Sequence, residues 1–298
     1  MREIQTGRED ACTRPAFSRK LVRSVGDIEA SVQQACGSPV GSRCAEPVVD
    51  VQAASYVRGG YRSFEFVDLS ARAGLLTMLL SGDAHAARDL LLCIAGAVRP
   101  TAGSLRVDDA SFAAAQASGC LGSVAAWPAF RRKLRGAHAV GMGVFSGVAD
   151  VDGMLTVEEA VVRELHPGGR GACGASGASD ALDYLAQRGL ATCADRRVDR
   201  LDPYARARLS AALALASSPC VAVIDLRDPC CAGLTGADER ALAGELRAAA
   251  RETGAAVIVS CAEVASAREA DAVYPLDIAT DEAYASESSR FPERVDVQ

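Results

Sequence analysis

Aromatic side chains are scarce in this 298-residue chain, 5% of the total with a single tryptophan. Sandwiches and small barrels fill their cores from aromatic and β-branched strands. Their scarcity, beside abundant alanine and many valine and leucine runs, favours an α/β or all-α architecture. No apolar run approaches the ~18–20 residues needed to cross a bilayer. The longest, 73–81 and 211–224, are interrupted by polar residues. The N-terminal twenty residues carry charges of both signs and no apolar stretch, so no secretory signal is read there. Excess basic charge is missing too. The formal net charge is −6, which argues against nucleic acid as a partner, because neutralising phosphates needs concentrated Lys and Arg. The short basic run Arg131-Arg132-Lys133 reads as a solvated loop. Histidine is limited to His85, His138 and His166, whose spacings do not suit a metal site. No CxxC pair and no serine-nucleophile elbow occurs.

Other features are plentiful. Hydrophobic residues make up 49% of the chain, enough for a sizeable core. Cysteine is frequent, with 11 residues. An odd number without a secretory signal argues against a disulfide framework. Cys93, Cys193, Cys220 and Cys261 sit in apolar contexts and read as small buried hydrophobes, while Cys230-Cys231 is a vicinal pair.

Residues 1–54 show no sustained period and read as an extension with one short helix near 26–35. The segment FEFVDLSARAGLLTMLLSG reads as two strands around a turn near Gly74, followed by a helix over 88–97 and a short strand over 103–108. A strand over 140–145 and a helix over 156–165 follow, then a Gly- and Ser-rich loop over 167–179. From residue 180 the order is helix, Ala-rich helix over 204–217, buried strand CVAVIDL, helix over 236–252 and buried strand AAVIVSC. Such alternation implies right-handed βαβ units and a parallel sheet. The acidic, Ser-rich tail occupies 279–298.

Four segments, in order, resemble the ATP-binding cassettes of ABC transporters over about 56–278. IAGAVRPTAGSLRVDD at 94–109 is similar to the stretch after that family's phosphate-loop helix. MLTVEEAV at 154–161 is similar to the stretch after its Q-loop. RETGAAVIVSCAEVASAREADAVYPL at 251–276 is similar to the surroundings of its switch histidine. The most specific match is an interval: Leu201 to Asp225 is 25 residues counted inclusively, the family's distance from signature to Walker B aspartate. The resemblance implies an α/β fold of the P-loop NTPase type. It would have a mostly parallel sheet, an antiparallel edge portion and a helical subdomain insertion at about 110–200, within a cassette unit spanning 55–278.

The resemblance also implies ATP and magnesium as ligands, but the residues depart from the pattern. A phosphate loop needs glycines whose N–H groups converge on the anion, a lysine, and a Ser or Thr for magnesium. Aligning Gly82 with the first glycine puts Arg88 at the lysine and Asp89 at the serine. Counting back from Gly96 puts Ala87 and Arg88 there instead. Either way the lysine is absent, Asp83 and Asp89 would repel a triphosphate, and a plain strand–turn–helix connection is the competing reading. Asp225 matches the Walker B aspartate, but Leu226 stands where a glutamate polarises the attacking water, and leucine cannot accept a proton. Gly147 falls at the Q-loop glutamine, Ala262 at the switch histidine and Thr235 at the D-loop aspartate. In the signature, Asp202-Pro203 reads as a helix cap and first turn rather than a phosphate clamp. Asp228 is expected to point away from the site. Tyr61, with Tyr56, is the candidate for stacking on adenine.

The expectation is therefore a non-hydrolytic structural or regulatory subunit of a transporter complex. Gly82, Arg88, Asp89, Asp225 and Tyr61 are the candidate nucleotide contacts, with no catalytic residue and no metal ligand assigned. The implied partners are a membrane permease subunit, a second cassette in a homo- or heterodimer, or both. The expected location is cytoplasmic, at the inner membrane face through a permease, without insertion. A divergent ATPase using Arg88 and Asp225, and a stand-alone α/β interaction protein, are the alternatives.

Overall fold

A computed structural model describes residues 46–114, 122–136, 139–166 and 175–276. The helix expected near 26–35, His138, the 167–174 part of the glycine-rich segment and the C-terminal tail lie outside the described residues.

Two sheets organise the chain. Strands β1 (Val49–Arg58), β2 (Tyr61–Ala71), β4 (Ala102–Val107) and β5 (Ala110–Ala113) form an antiparallel sheet in the order β2-β1-β4-β5. Strands β3 (Leu76–Leu80), β6 (Val140–Met142), β7 (Val221–Asp225), β8 (Ala256–Cys261) and β9 (Ala272–Pro275) form a parallel sheet in the order β6-β7-β8-β3-β9. Every residue of β3, β7 and β8 is buried. That is why these strands read as unbroken apolar runs rather than alternations.

Helix α1 (Ala84–Ile94) follows β3 and joins one hydrophobic cluster with strands of both sheets, including Val49, Leu69 and Leu105 on one side and Val223 and Ile258 on the other. Helix α2 (Gly122–Gly136) seals this cluster at β5. There Trp127 lies edge-on to Phe112 with ring centroids 4.9 Å apart and stacks on Phe130 at 5.2 Å. A second cluster holds α3 (Val157–Leu165), α4 (Ala175–Gln187) and α5 (Pro203–Leu215) together through Val157, Val161, Ala181, Leu185, Leu209 and Leu213. Helix α6 (Gly236–Thr253) and the short α7 (Val264–Ala267) flank β8.

Helix α5 shows why its sequence is alanine-rich. Nine of its residues are buried, and the partly exposed ones, among them Arg206 and Arg208, fall in its first two turns, as expected for a helix covered on several sides. It lies so close to β6 that a Cβ on Gly141 would sit 1.9 Å from the Ala214 carbonyl oxygen. Asp202 caps it, accepting the Ala205 N–H at 2.9 Å, with Pro203 in the first turn.

Three local expectations are corrected. Strand β1 begins at Val49, inside the stretch assigned to the N-terminal extension, because Val49 and Val51 are fully buried against α1. Helix α4 begins at Ala175, inside the expected 167–179 loop, because burial of Ala181 and Leu185 outweighs the low helix propensity of the preceding Gly and Ser. The basic run 131–133 belongs to α2, whose buried face is Trp127, Phe130 and Leu134.

Candidate functional site

Four chain segments meet at the C-terminal edge of the parallel sheet, where α/β folds place ligands. They are the β3–α1 connection, the turn after β7, the end of β8 and the residues following β6.

The β3–α1 connection is only three residues, Ser81, Gly82 and Asp83, before the helix starts at Ala84. The residues aligned with the later part of a phosphate loop are thus already helical. Asp83 is the N-cap: its Oδ1 accepts the His85 N–H at 2.8 Å and its Oδ2 accepts the Tyr61 hydroxyl at 2.9 Å. The positive end of α1 therefore faces a carboxylate of its own chain. Ser81 Oγ braces the turn, donating to the Asp83 carbonyl at 2.7 Å. A side chain at Gly82 would meet nothing within 4 Å, so packing does not require glycine there. His85 is exposed.

Arg88, one turn further along α1, points into the junction. Its Nη1 donates to Asp228 Oδ2 at 2.5 Å and lies 3.7 Å from Asp225 Oδ2, while its Nη2 donates to the Ser146 carbonyl at 2.5 Å. The guanidinium also lies over the buried Phe145 ring, 5.7 Å from its centroid. Asp228 is completely enclosed by donors. Oδ2 accepts the Ser146 N–H at 2.7 Å, and Oδ1 accepts the Ser146 hydroxyl at 2.5 Å and the Cys230 N–H at 2.9 Å. Burial alone would raise the Asp228 pKa. The Ser146 hydroxyl, the two N–H groups and Arg88 together outweigh it and hold the carboxyl below the ordinary range. Asp225 differs: burial dominates and pushes its pKa up, against the Ser260 hydroxyl at 2.6 Å and the Arg227 N–H at 3.1 Å. The Arg227 guanidinium reaches back to the Ser81 carbonyl at 2.5 Å, tying β7 to the β3–α1 turn.

The expected site residues divide accordingly. Arg88 and Asp225 do come together. Gly82 lies in the β3–α1 turn, which Tyr61 reaches through Asp83, although 55% of Tyr61 is exposed. Asp89 does not join them. It is 2% exposed and accepts the Ser63 hydroxyl of β2 at 2.8 Å, on another side of α1. Asp228 was expected to point away and instead anchors the junction. The 3-10 turn Pro229–Cys231 begins right after it and swings its side chain back toward α1. Ser146, Arg227 and Ser260 were not singled out either. Asp228-Pro229 repeats the Asp-Pro pattern of Asp202-Pro203 and signals a cap, but nothing local signals an ion pair with a residue 140 positions away.

At the positions that would activate water, Leu226 is 3% exposed and its N–H donates to Ser260 Oγ at 3.0 Å, while Ala262 is an exposed alanine. Gly147 has φ +78° and donates its N–H to both Asp150 carboxylate oxygens at 2.9 Å. Among the described residues no group of three or more His, Cys, Asp or Glu is arranged to hold a metal ion. The same residues include no helix long and apolar enough to cross a membrane.

No family model matches the sequence, and no curated protein matches it. Solved structures match the fold. The dimeric form of the bacterial ABC transporter cassette MJ0796 aligns with TM-score 0.57 at 18% identity, covering 76% of this chain and 94% of that one. CbiO1 of Clostridium perfringens, part of the ABC transporter complex cbiONQ, aligns at 0.56 and 16%, covering 82% and 93%. The ADP conformation of the cassette MJ1267 aligns at 0.58 and 13%, covering 78% and 88%. The chain thus has the fold of ABC transporter ATP-binding cassettes, with its parallel five-stranded sheet and accompanying antiparallel sheet.

Proposed function

We propose that this chain is a non-hydrolytic subunit of the ABC-cassette type, structural or regulatory, that works within a transporter complex. The observation that carries the reading is the Arg88–Asp228–Ser146 clamp. The side chain aligned with the phosphate-loop lysine is already committed to an internal carboxylate and a backbone carbonyl.

Magnesium–ATP fits these residues poorly on three counts. The α1 N-terminus, where N–H groups would meet a phosphate, faces the Asp83 carboxylate. Arg88 must leave Asp228 before it can contact an added anion. Asp225, aligned with the Walker B magnesium position, is biased toward its neutral form by burial and is bonded to Ser260. Leu226, buried beside it, cannot orient an attacking water.

Two of the solved structures support a partner class: one is a dimeric cassette and another is part of a transporter complex. By that likeness the chain pairs with a second cassette, docks on permease helices at the inner face of the membrane, or does both.

The test is a calorimetric titration of the full chain with magnesium–ATP into the millimolar range, with phosphate release measured in parallel. No binding heat and no release above buffer is the expected result. Submillimolar binding with turnover that Asp225→Ala abolishes would overturn the reading in favour of a divergent ATPase using Arg88 and Asp225. Sedimentation of a free monomer, with no permease recovered from membranes, would favour a stand-alone interaction protein.

A further inference from the structure

The turn after β7 carries two thiols side by side. Cys230 and Cys231 occupy the 3-10 turn Pro229–Cys231, and their sulfurs are 3.4 Å apart. Asp228 caps that turn through the Cys230 N–H, and the same carboxylate is held by Arg88 and Ser146. The backbone presenting the thiols is therefore fixed by a buried ion pair. Cys230 is partly exposed and Cys231 is buried. Cys230 also packs against the apolar cluster of α3, α4 and α5.

We propose that Cys230 and Cys231 form a two-thiol binding site for a trivalent thiophilic metalloid of the arsenic(III) class.

Distance separates this ligand from its competitors. A disulfide needs sulfurs about 2.05 Å apart, and closing it between adjacent residues makes an eight-membered ring that bends the intervening peptide from planarity at a cost. Tetrahedral zinc, with bonds of about 2.3 Å, sets its sulfurs about 3.8 Å apart and wants four protein ligands. Linear two-coordinate soft cations need sulfurs on opposite sides of the metal, about 4.6 Å apart at that bond length. A pyramidal trivalent centre binds at little more than a right angle. At the same bond length of about 2.3 Å its sulfurs lie about 3.3–3.4 Å apart, the separation already present, and its third position is filled by its own substituent.

Charge points the same way. A divalent cation binds thiolates and must displace two protons. The Cys230 thiol is held protonated: its hydrogen bond with Cys231 raises its pKa most, and burial and the nearby Asp228 carboxylate add to it. Arsenic(III) exchanges with neutral thiols. Two As–S bonds form and two As–O bonds break, and each thiol proton leaves with a hydroxide as water. No electrons are transferred, and the product adds no charge to the apolar surroundings.

The experiment uses the full chain, reduced and freed of reductant, with phenylarsine oxide as probe. The readout is alkylation of Cys230 by a maleimide under native conditions, followed on the tryptic peptide 228–240. One equivalent should protect Cys230. Cys231→Ser should weaken that protection about 100-fold or more, because the second thiol supplies the chelate advantage, whereas Cys220→Ser should leave it unchanged. The unmodified chain gives an independent arm. 2,3-Dimercaptopropanol should restore alkylation at concentrations where 2-mercaptoethanol does not. Equal reversal by the monothiol, or undiminished protection in a folded Cys231→Ser protein, would refute a two-thiol site. Protection by zinc chloride at the same concentration would refute the trivalent assignment.

Discussion

Replacing Arg88 with methionine tests the clamp while keeping most of the aliphatic bulk of the side chain. The guanidinium is 15% exposed and Asp228 is not exposed at all. Removing one partner of a buried ion pair typically costs about 3–5 kcal/mol. Asp228 would keep three donors, from Ser146 and Cys230, so the lower end applies, about 3 kcal/mol. In urea, with a slope of about 2.5 kcal/mol per molar for a domain of this size, the midpoint should fall by about 1.2 M. The pH dependence gives the sharper test. Asp228 has a lowered folded pKa, so its stabilisation is present above the unfolded carboxylate value of about 3.9. It is lost as pH falls through the lower folded value. Without Arg88, Asp225 and Asp228 repel each other uncompensated and both titrate upward. The Arg88→Met deficit should then be largest at pH 7.5 and smaller at pH 5, shrinking further as pH falls toward the lowered folded value of Asp228. Urea unfolding under reducing conditions at the two pH values measures it. A deficit under about 1 kcal/mol at pH 7.5, the size of an exposed pair, or one that grows on acidification, would refute the reasoning.

Other consequences follow from the same geometry. Gly141→Ala forces a Cβ to 1.9 Å from the Ala214 carbonyl oxygen, so the soluble folded yield should collapse or stability fall by about 3 kcal/mol or more; an unchanged thermal midpoint would mean that α5 and β6 pack less closely. Asp202→Ala removes the α5 cap and should cost about 1 kcal/mol, a drop of about 2–4 °C in Tm by calorimetry for a domain of this size. Leu226→Glu restores a carboxylate at the water-activating position but buries a charge beside Asp225, so it should destabilise the fold and give no phosphate release above buffer; measurable turnover would show that the clamp does not block the site.

Much of the fold was legible because its central strands are buried on both faces and need no alternation to be recognised. The Ala-rich α5, with Asp202-Pro203 ahead of it and Asp225 at the end of the next strand, lies in the interval on which the resemblance rested. The start of β1 was harder. Val49 and Val51 do alternate inward, but Ala53 at φ +45° marks an irregularity that breaks the period of two within a few residues. The basic run in α2 drew attention away from Trp127, Phe130 and Leu134, whose spacing of three and four is the helical signal. At the site, sequence alignment brought Arg88 and Asp225 to the same place, and they do meet. Which atoms they hold could not be read from spacing, because Ser146, Asp228 and Ser260 come from three separate segments.

The residues at the junction make physical sense as a set. Asp225 and Asp228 are both buried, and without a cation near them one would have to be neutral. A lysine at position 88 would bring one compact ammonium. The arginine fork spans two acceptors, placing one nitrogen on Asp228 and the other on the Ser146 carbonyl. Ser146 completes Asp228 with two further donors, so the segment after β6 is tied to the turn after β7 by side chains of the chain itself. The tie has a measurable consequence for ligands. An anion that takes Arg88 from Asp228 must first offset the clamp. If that is worth about 3 kcal/mol, the apparent affinity of any such anion is weakened on the order of 150-fold. Weakening the clamp at Asp228 is the change that would free Arg88 for an anion, while the α1 N-terminus stays capped by Asp83.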